Sequence, residues 1–287
     1  IDADRALALT TAFPSPRTIS GGSGANSLAG IASFGGKGAY VGKVANDVLG
    51  DGFARDIRAI GVAFDSPPLT DGAPTARCLI AVTPDGQRSM NTFLGASTLF
   101  GPGDIDPALI AAGKILYLEG YLFDRDEAKA AFVHAAEIAR AAGRKVAVTL
   151  SDHFCVQRHK AGFRHLIKGH ADLVFANEAE ILALYDVNTV EAAVEAVRAD
   201  GAFAAITRSE KGSIIVTGTE VITVPALPTD AVIDTTGAGD MYAAGFLFGW
   251  ARGYEPEASA RLGHLAAREV IGHFGARPET PYAKLAL

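Results

Sequence analysis

The sequence has little of what several protein classes require. Its 287 residues include only two cysteines, Cys78 and Cys155, which are too few for a disulfide framework and are not spaced as metal ligands. This usage is typical of a reducing compartment, and we expect a cytoplasmic protein. No apolar run reaches the ~18 residues of a membrane span and no signal peptide is recognisable, so we expect no membrane partner. The net charge of -6 offers no basic surface, which argues against a nucleic-acid partner.

Two common nucleotide-binding motifs are also missing. Residues 22–27 (GSGANS) contain only two glycines of a G-x-G-x-x-G and follow no convincing strand, which argues against a dinucleotide-dependent oxidoreductase. The pair Gly36 and Lys37 is followed by Gly38 instead of Ser or Thr, and Ile31 stands where a P-loop has its first glycine. A P-loop kinase is therefore excluded.

The composition and periodicity predict one α/β domain over residues 1–287. Hydrophobic residues make up 49% of the chain and charged residues 20%, as in a globule with a large core. From residue 105 onward, short apolar runs alternate with segments of helical period, which predicts βαβ units and a mainly parallel sheet. We predict sheet strands at 114–118, 145–150, 172–175 and 203–207, hairpins at 75–94 (turn at 84–86) and 213–224, a buried strand at 39–44, and polar turns over 1–20.

Three polar or glycine-containing turns follow predicted strands or precede the last helices. They are residues 177–180 (NEAE), 207–212 (TRSEKG) and 234–240 (DTTGAGD). Ligands of an open parallel sheet collect at the carboxyl ends of its strands, so we expect the three turns to converge on one crevice.

The turn at residues 234–240 has the chemistry of a phosphoryl-transfer site. It is flanked by Asp234 and Asp240 and leads into a helix of small and apolar residues. Unpaired N–H groups at the positive end of a helix bind phosphate, while a carboxylate in the first turn stays ionised and takes a proton from an alcohol. The same residues could instead serve only as a turn and a helix cap.

The pattern Asp-Thr-x-Gly-Ala-Gly-Asp resembles the C-terminal signature of the ribokinase-like (PfkB-type) family of carbohydrate and nucleoside kinases. The resemblance implies a ribokinase-like three-layer sandwich with a mainly parallel central sheet and a small β lid, formed here by about 1–20 and 73–96. It implies Asp240 as the catalytic base and Gly237, Ala238 and Gly239 as the anion hole. The family begins with a core strand that carries a substrate-binding Asp, and the residues before Gly21 leave no room for it. We therefore expect that strand to be missing from this sequence, or the acceptor site to be incomplete.

Further positions match the family, and their roles are what the resemblance implies. Gly21, Gly22 and Asn26 match the segment that binds sugar hydroxyls. Asn177 and Glu180 match an Asn-x-x-Glu motif that positions Mg²⁺ and the triphosphate of ATP through water, although both could form a helix cap. Thr207, Ser209 and Gly212 match a nucleotide-binding turn in which the family has glycine at the middle position. Gly263 or His264 would lie near the adenine. Asp234, Thr236, Val270, His273 and Gly275 match a monovalent-cation site, which would hold K⁺.

The acceptor is predicted from the hairpin and from residues 117–121 (YLEGY), which resemble adenosine-kinase-like members. Arg88 and Asn91 are expected to contact the sugar hydroxyls, with Phe93, Tyr121 and Phe123 available to stack on a base. We therefore rank transfer of the γ-phosphoryl group of ATP to adenosine first. A sugar kinase for ribose, fructose or a keto-deoxy sugar acid comes second, and a non-catalytic nucleoside- or sugar-binding protein is the alternative from a different class. The small-molecule substrate is the expected partner of a monomer or homodimer.

Overall fold

The structure is a computed structural model that describes residues 1–13, 16–83, 88–229 and 231–285. The predicted turn at 84–86 lies outside the described residues. The strands are β1 (Arg77–Val82), β2 (Arg88–Phe93), β3 (Ile115–Glu119), β4 (Lys145–Thr149), β5 (Leu173–Asn177), β6 (Ala204–Thr207), β7 (Ser213–Val216) and β8 (Val221–Val224). The helices are α1 (Ala3–Ala12), α2 (Ser23–Ser33), α3 (Val48–Ala59), α4 (Pro107–Ala112), α5 (Asp126–Ala141), α6 (His153–Gly169), α7 (Glu178–Tyr185), α8 (Val190–Ala199), α9 (Ala238–Trp250) and α10 (Pro256–Val270).

The central sheet has six strands in the order β3-β4-β5-β6-β7-β8. Strands β3 to β6 are parallel, whereas β7 and β8 are added antiparallel as a hairpin. Strands β1 and β2 form a separate antiparallel pair. The prediction of a three-layer α/β fold with a mainly parallel sheet and a small two-stranded sheet is therefore confirmed.

Both faces of the sheet are buried, which explains its nearly continuous apolar strands. Along β5, Val174 and Ala176 belong to the core formed with α5, α6, α7 and α8. Leu173 and Phe175, which alternate with them, pack instead in the core formed with α9 and α10. Helix α2 lies against α9 on this second side, where an added methyl at Gly30 would come within 2.6 Å of Ala244 Cβ. The start of α2 is therefore held beside the start of α9.

Two predictions about the first part of the chain are wrong. Residues 39–44 form no strand of the sheet; the segment makes isolated bridges from Ala39 to Ala63 and from Ala45 to Leu69. Glycines at 38 and 42 weaken it as a strand. Within the predicted polar turns, α1 forms because Asp2 caps it by accepting from the Arg5 amide at 2.8 Å and because its alanines and leucines favour helix.

The carboxyl ends of the parallel strands carry polar residues, as the sequence predicts. Glu119 ends β3, Asn177 ends β5 and Thr207 ends β6. Because these strands run parallel, the three residues lie along one edge of the sheet. Among the described residues, none of the helices is long and apolar enough to cross a membrane.

Candidate active site

The site forms where the N-termini of α2 and α9 meet. Helix α9 begins after Gly237, whose φ of 82° lies in the left-handed region that favours glycine. A methyl group at Gly237 would also come within 2.6 Å of Ala276 Cβ, so both the turn and the close approach require glycine. In the described part of the chain, no side chain caps this helix. The Ala238 amide donates to Thr235 O at 3.3 Å. The other N–H groups of the first turn have no partner within the helix, as an anion site requires.

Asp240 lies in the first turn of α9, and its carboxylate is held by residues of α2. Ser23 Oγ donates to Asp240 Oδ1 at 2.6 Å, and Asn26 Nδ2 donates to Oδ2 at 2.9 Å. Ser27 Oγ donates to the backbone oxygen of Asp240 at 3.2 Å. The structure thus brings Asn26 of the predicted acceptor segment to the predicted base, and it adds Ser23, which the sequence reasoning missed.

The ionisation of Asp240 suits a base. Burial raises the pKa of Asp240 to about 6, while the hydrogen bonds from Ser23 and Asn26 and the charge of Arg88 act against the rise. At neutral pH the carboxylate is therefore mostly ionised, yet it has a much higher proton affinity than an ordinary aspartate. Both properties are needed to take a proton from an alcohol in the reaction.

A second half-buried carboxylate, Glu119, lies close to Asp240. Burial and the charge of Asp240 raise the pKa of Glu119 to about 7, against hydrogen bonds from Ser151, Ser23 and the Gly24 amide. Ser151 Oγ donates to Glu119 Oε1 at 3.0 Å. Glu119 was not predicted as a site residue, although its position at the end of a parallel strand is the signal that identified Asn177. It gives the pocket a hydrogen-bonding group that changes charge near neutral pH.

The hairpin β1–β2 reaches the anion turn through Arg88. The Arg88 guanidinium donates to Thr235 Oγ1, between the two aspartates of the turn. Asn91, by contrast, donates from Nδ2 to Leu79 O of its own hairpin at 3.4 Å. The structure therefore places Arg88 beside the predicted anion hole, and it shows no contact between Asn91 and the Asp240 cluster.

Asn177 and Glu180 form a capping box at the start of α7. Asn177 Oδ1 accepts from the Glu180 amide at 2.9 Å, and the Glu180 carboxylate accepts from Asn177 N at 2.9 Å and Nδ2 at 2.7 Å. Burial raises the pKa of Glu180 to about 7. A carboxylate has lone pairs beyond those two bonds, so this group can also accept from metal-bound water. The pair fits both the cap and the predicted metal role.

The turn after β6 keeps the backbone shape of a glycine motif without its middle glycine. Ser209 has a φ of 51° and Gly212 a φ of 86°, both in the left-handed region. An added methyl at Gly212 would come within 2.1 Å of Val224 O. Thr207 Oγ1 donates to Ala176 O at 3.4 Å. Ser209 thus adopts a left-handed conformation of the kind that favours glycine, so the serine does not prevent the predicted backbone role.

Gly263 and His264 lie on the face of α10 that packs against α9. An added methyl at Gly263 would come within 2.7 Å of Tyr242 O. His264 Nε2 is 2.9 Å from Ser213 Oγ, which also accepts from the Tyr242 hydroxyl at 2.8 Å. Burial lowers the pKa of His264 to about 4. Gly263 and His264 therefore have a packing role that is independent of the predicted contact with adenine.

Asp234 ties the anion turn to the segment after α10. Its Oδ1 accepts from Thr236 N at 2.9 Å and Oγ1 at 2.6 Å, and its Oδ2 accepts from Gly275 N at 3.1 Å. Burial acts to raise the pKa of Asp234, but these bonds hold it below the usual value. Val270 is buried in the core, and His273 Nε2 lies 3.4 Å from Glu269 Oε2. Of the predicted cation-site residues, Thr236 and Gly275 are thus brought to Asp234, the anionic group, whereas Val270 packs in the core and His273 faces Glu269.

The aromatic residues proposed to stack on a base differ in their availability. Phe123 is buried and stacks on Phe163 with ring centroids 4.2 Å apart, so its expected role as a stacking partner is wrong. Its side chain turns into the core because it lies in the short turn that closes over α6. Tyr121 in the same turn is 40% exposed and remains available.

A third residue that the sequence reasoning missed is Arg277. Its guanidinium donates from Nε to Asn26 Oδ1 at 3.4 Å and from Nη2 to Gly21 O at 3.3 Å. Nothing in the local sequence marks it, since it follows the last long helix and contacts a segment near the start of the chain. Only the three-dimensional structure brings it to the site.

A carboxylate at a helix N-terminus without a side-chain cap, with polar turns along one edge of a parallel sheet, is the arrangement that a phosphotransferase acting on a hydroxyl group requires. Residues 6–282 match the pfkB family carbohydrate kinase, and the chain belongs to that family.

The chain resembles the crystal structure of adenosine kinase from Sinorhizobium meliloti, with 49% identity and a TM-score of 0.95 over 99% of this chain and 87% of that one. A probable sugar kinase from Rhizobium etli is 46% identical, with a TM-score of 0.96 over 99% and 86%. Adenosine kinase from Saccharomyces cerevisiae is 27% identical over 95% of this chain and 83% of its own.

Proposed function

We propose that this protein transfers the γ-phosphoryl group of ATP to the hydroxymethyl group of a nucleoside, with adenosine as the first candidate. The observation that carries the proposal is the contact of Asp240, at the start of α9, with Ser23 and Asn26 of the glycine-rich segment. A base, an anion site and an acceptor segment then lie together. The adenosine kinases among the similar proteins support the choice of acceptor.

Asp240 is the proposed base. Its ionised carboxylate takes the proton of the acceptor hydroxyl as that oxygen bonds to the γ-phosphorus. The bond between the γ-phosphorus and the oxygen bridging it to the β-phosphate breaks, and this oxygen leaves as part of ADP. The amides at Gly237, Ala238 and Gly239 stabilise the negative charge on the transferred group. Ser23 and Asn26 hold the carboxylate in one orientation throughout.

The nucleotide and its metal are proposed to lie toward the other two turns. Thr207, Ser209 and Gly212 would contact the nucleotide through their turn, and Gly263 would border the adenine. Mg²⁺, when bound, neutralises phosphate charge; Glu180 would hold it through water, with Asn177 orienting Glu180. The Asp234 cluster would bind K⁺, with Thr236 and Gly275 among its surroundings.

The acceptor is proposed to bind between α2 and the lid. Gly21, Gly22 and Glu119 would meet the sugar hydroxyls, and Tyr121 would stack on the base. Residues 1–20 and 73–96 form the proposed lid of a single domain, supported by the contacts of α1 with β1 and β2. We further propose a cytoplasmic location and a monomer or homodimer.

A sugar kinase of the same family is the second candidate. Glu119 is compatible with it, because a half-buried carboxylate can accept hydrogen bonds from the hydroxyls of a free sugar as well as from those of a nucleoside. The similarity to the Rhizobium etli probable sugar kinase supports it independently.

The deciding experiment compares acceptors in the full-length protein. Phosphoryl transfer from ATP is measured across nucleosides and sugars, and binding of adenosine, ribose and fructose is measured by calorimetry. We expect adenosine to bind at least about tenfold more tightly than either sugar, or ~1.4 kcal/mol, which one stacked base could supply. Equal or tighter binding of a free sugar would favour the sugar kinase. Binding without transfer to any acceptor would favour the non-catalytic alternative.

A further inference from the structure

Arg277 connects the segment after α10 to the acceptor side of the site. Its two contacts, to Asn26 Oδ1 at 3.4 Å and to Gly21 O at 3.3 Å, are long for hydrogen bonds, but the charge of the guanidinium strengthens them. Both contacted atoms belong to residues 21–26, the segment whose side chains donate to Asp240. Arg277 is therefore linked to the proposed base through a single intervening residue, Asn26.

The chemistry of the three groups permits only one orientation of Asn26. Arginine carries five N–H donors and no acceptor, so it must face the amide oxygen. An ionised Asp240 carboxylate only accepts, so it must face the amide nitrogen, which lies 2.9 Å from Oδ2. A flip of the Asn26 amide would place its nitrogen against a cation and its oxygen against an anion. Arg277 thus fixes which end of Asn26 meets Asp240.

The surroundings of Arg277 argue against a surface ion pair. Within the described residues, no carboxylate oxygen lies within 4.0 Å of its guanidinium, and its Cζ lies 6.0 Å from the centre of the Phe53 ring. Burial lowers the pKa of Arg277, against the negative charge of Asp56. Tyr40 also faces it, but burial raises the pKa of Tyr40 to about 12 and its hydroxyl is neutral near pH 7. A partly desolvated cation is costly unless its hydrogen bonds compensate, and those bonds go to Gly21 and Asn26.

We propose that Arg277 is a positioning residue that holds Asn26 in the orientation in which its amide nitrogen donates to Asp240. The proposal rests on the proposed role of Asp240 as base. Without Arg277, the amide of Asn26 turns more freely and its donation to the carboxylate weakens. Loss of a hydrogen bond to the ionised form raises the pKa of an acid, so the pKa of Asp240 rises.

The other charged and titratable groups that face Asp240 are Glu119 and Tyr117 of β3, Tyr121 after it, and Arg88 of β2. Arg277→Met leaves all of them in place. The direct measurement is the titration of Asp240 by ¹³C NMR of carboxyl-labelled aspartate, assigned with Asp240→Asn. We expect Arg277→Met to raise the pKa of Asp240 by about 0.5–1 unit and to move the acid limb of kcat/KM upward by the same amount.

Three variants separate positioning from a structural role. Arg277→Lys retains a cation that only donates hydrogen bonds, so the pKa of Asp240 in this variant should stay close to that of the parent. Arg261→Met makes the same change at an exposed arginine paired with Glu257. It should change neither the pKa of Asp240 nor the acid limb of kcat/KM. In an Asn26→Ala background, Arg277→Met should cause no further rise, because the group through which it acts is gone.

An unchanged pKa of Asp240 in Arg277→Met would overturn the proposal, as would an equal rise in the Asn26→Ala background. If Arg277→Met fails to fold, Arg277→Gln serves in its place, since glutamine can present its oxygen or its nitrogen and no longer selects one orientation. Failure of the proposed function is recognised separately. In that case Asp240→Asn keeps its turnover, while the NMR titration still reports whether Arg277 acts on Asp240.

Discussion

Ser23 donates a hydrogen bond to Asp240 across 2.6 Å, although 217 residues separate the two in sequence. The bond joins the first turn of α2 to the first turn of α9. Since α9 packs on the sheet through Tyr242 and Phe246, the carboxylate is held by a rigid part of the core. This packing fixes the position of the carboxylate relative to the sheet.

Asp240→Asn is expected to lower kcat by about 10²-fold or more, because the amide cannot take a proton from the acceptor.

The same variant should keep the free energy of unfolding of the parent protein. Asp240 has a pKa of about 6 in the folded protein, above its ordinary value, so ionising it costs folding free energy as the pH rises through 6. Asparagine avoids that cost, and unfolding by denaturant at pH 8 should show a variant at least as stable as the parent. Asp126→Asn, at an exposed helix start, is the matched control. Near-normal turnover of Asp240→Asn would remove Asp240 from the role of base.

The two half-buried carboxylates of the site, Asp240 and Glu119, are expected to titrate in separate steps. Asp240 ionises near pH 6, when Glu119 is still protonated, and Glu119 ionises near pH 7. An ionised Glu119 accepts a stronger hydrogen bond from an acceptor hydroxyl, so the acceptor KM should fall as the pH rises through 7. Glu119→Gln should abolish that fall and raise KM at pH 8 by about tenfold, with the kcat step near pH 6 retained. A KM step near pH 7 that persists in Glu119→Gln would contradict this assignment.

The sequence predicts most of the sheet because each strand is a short apolar run bounded by clear turns. The extents of α7 and α8 follow from local caps, at Asn177 and Thr189. The segment at 39–44 is mispredicted because its apolar residues suit a strand, whereas its pairing depends on residues 63 and 69 and on no periodicity of its own. The conformation of such a segment depends on contacts with residues elsewhere in the chain, which the local sequence pattern does not reveal.

The residues of the site likewise divide into those marked by the local sequence and those identified only by contacts between distant parts of the chain. Asp240, Asn26 and the anion turn are predictable because a short run of glycines and polar residues carries their chemistry. Glu119 is recognisable only once β3 is placed in the parallel sheet. Arg277 is not predictable, since its importance lies in contacts with residues 21 and 26, far away in the chain.

Arg88 should act on the anion turn and on Asp240 rather than on the acceptor alone. Its guanidinium donates to Thr235, and its positive charge lowers the pKa of both Asp234 and Asp240. Arg88→Ala is expected to lower kcat by about 10-fold to 10²-fold and to move the acid limb of kcat upward. Thr235→Val removes the hydrogen bond but keeps the charge.

The two variants are compared by kcat as a function of pH. If the charge of Arg88 is what matters, the acid limb moves in Arg88→Ala and stays in place in Thr235→Val. An effect of Arg88→Ala confined to the acceptor KM would show instead that the lid arginine serves acceptor binding.

Glu180 should contribute to both folding and metal binding, and two substitutions can separate these contributions. The single oxygen of glutamine can still accept from Asn177 N, although the bond from Asn177 Nδ2 is lost. Glu180→Gln should therefore keep most of the stability of α7. It loses the negative charge, however, and should need about tenfold more Mg²⁺ for half-maximal activity. Glu180→Ala loses the cap as well and should destabilise the fold by about 0.5–2 kcal/mol.

The pH dependence gives an independent check on Glu180. Burial raises its pKa to about 7, so the carboxylate is increasingly protonated below pH 7 and the Mg²⁺ requirement of the parent should rise as the pH falls. In Glu180→Gln the requirement should not depend on pH over this range, because amide charge does not change. The measurement is activity against free Mg²⁺ at several pH values, with Glu191→Gln, at an exposed glutamate in the first turn of α8, as the control. If Glu180→Gln shows the parent's Mg²⁺ dependence at every pH, or if the parent is fully active in excess chelator, Glu180 serves only as a helix cap.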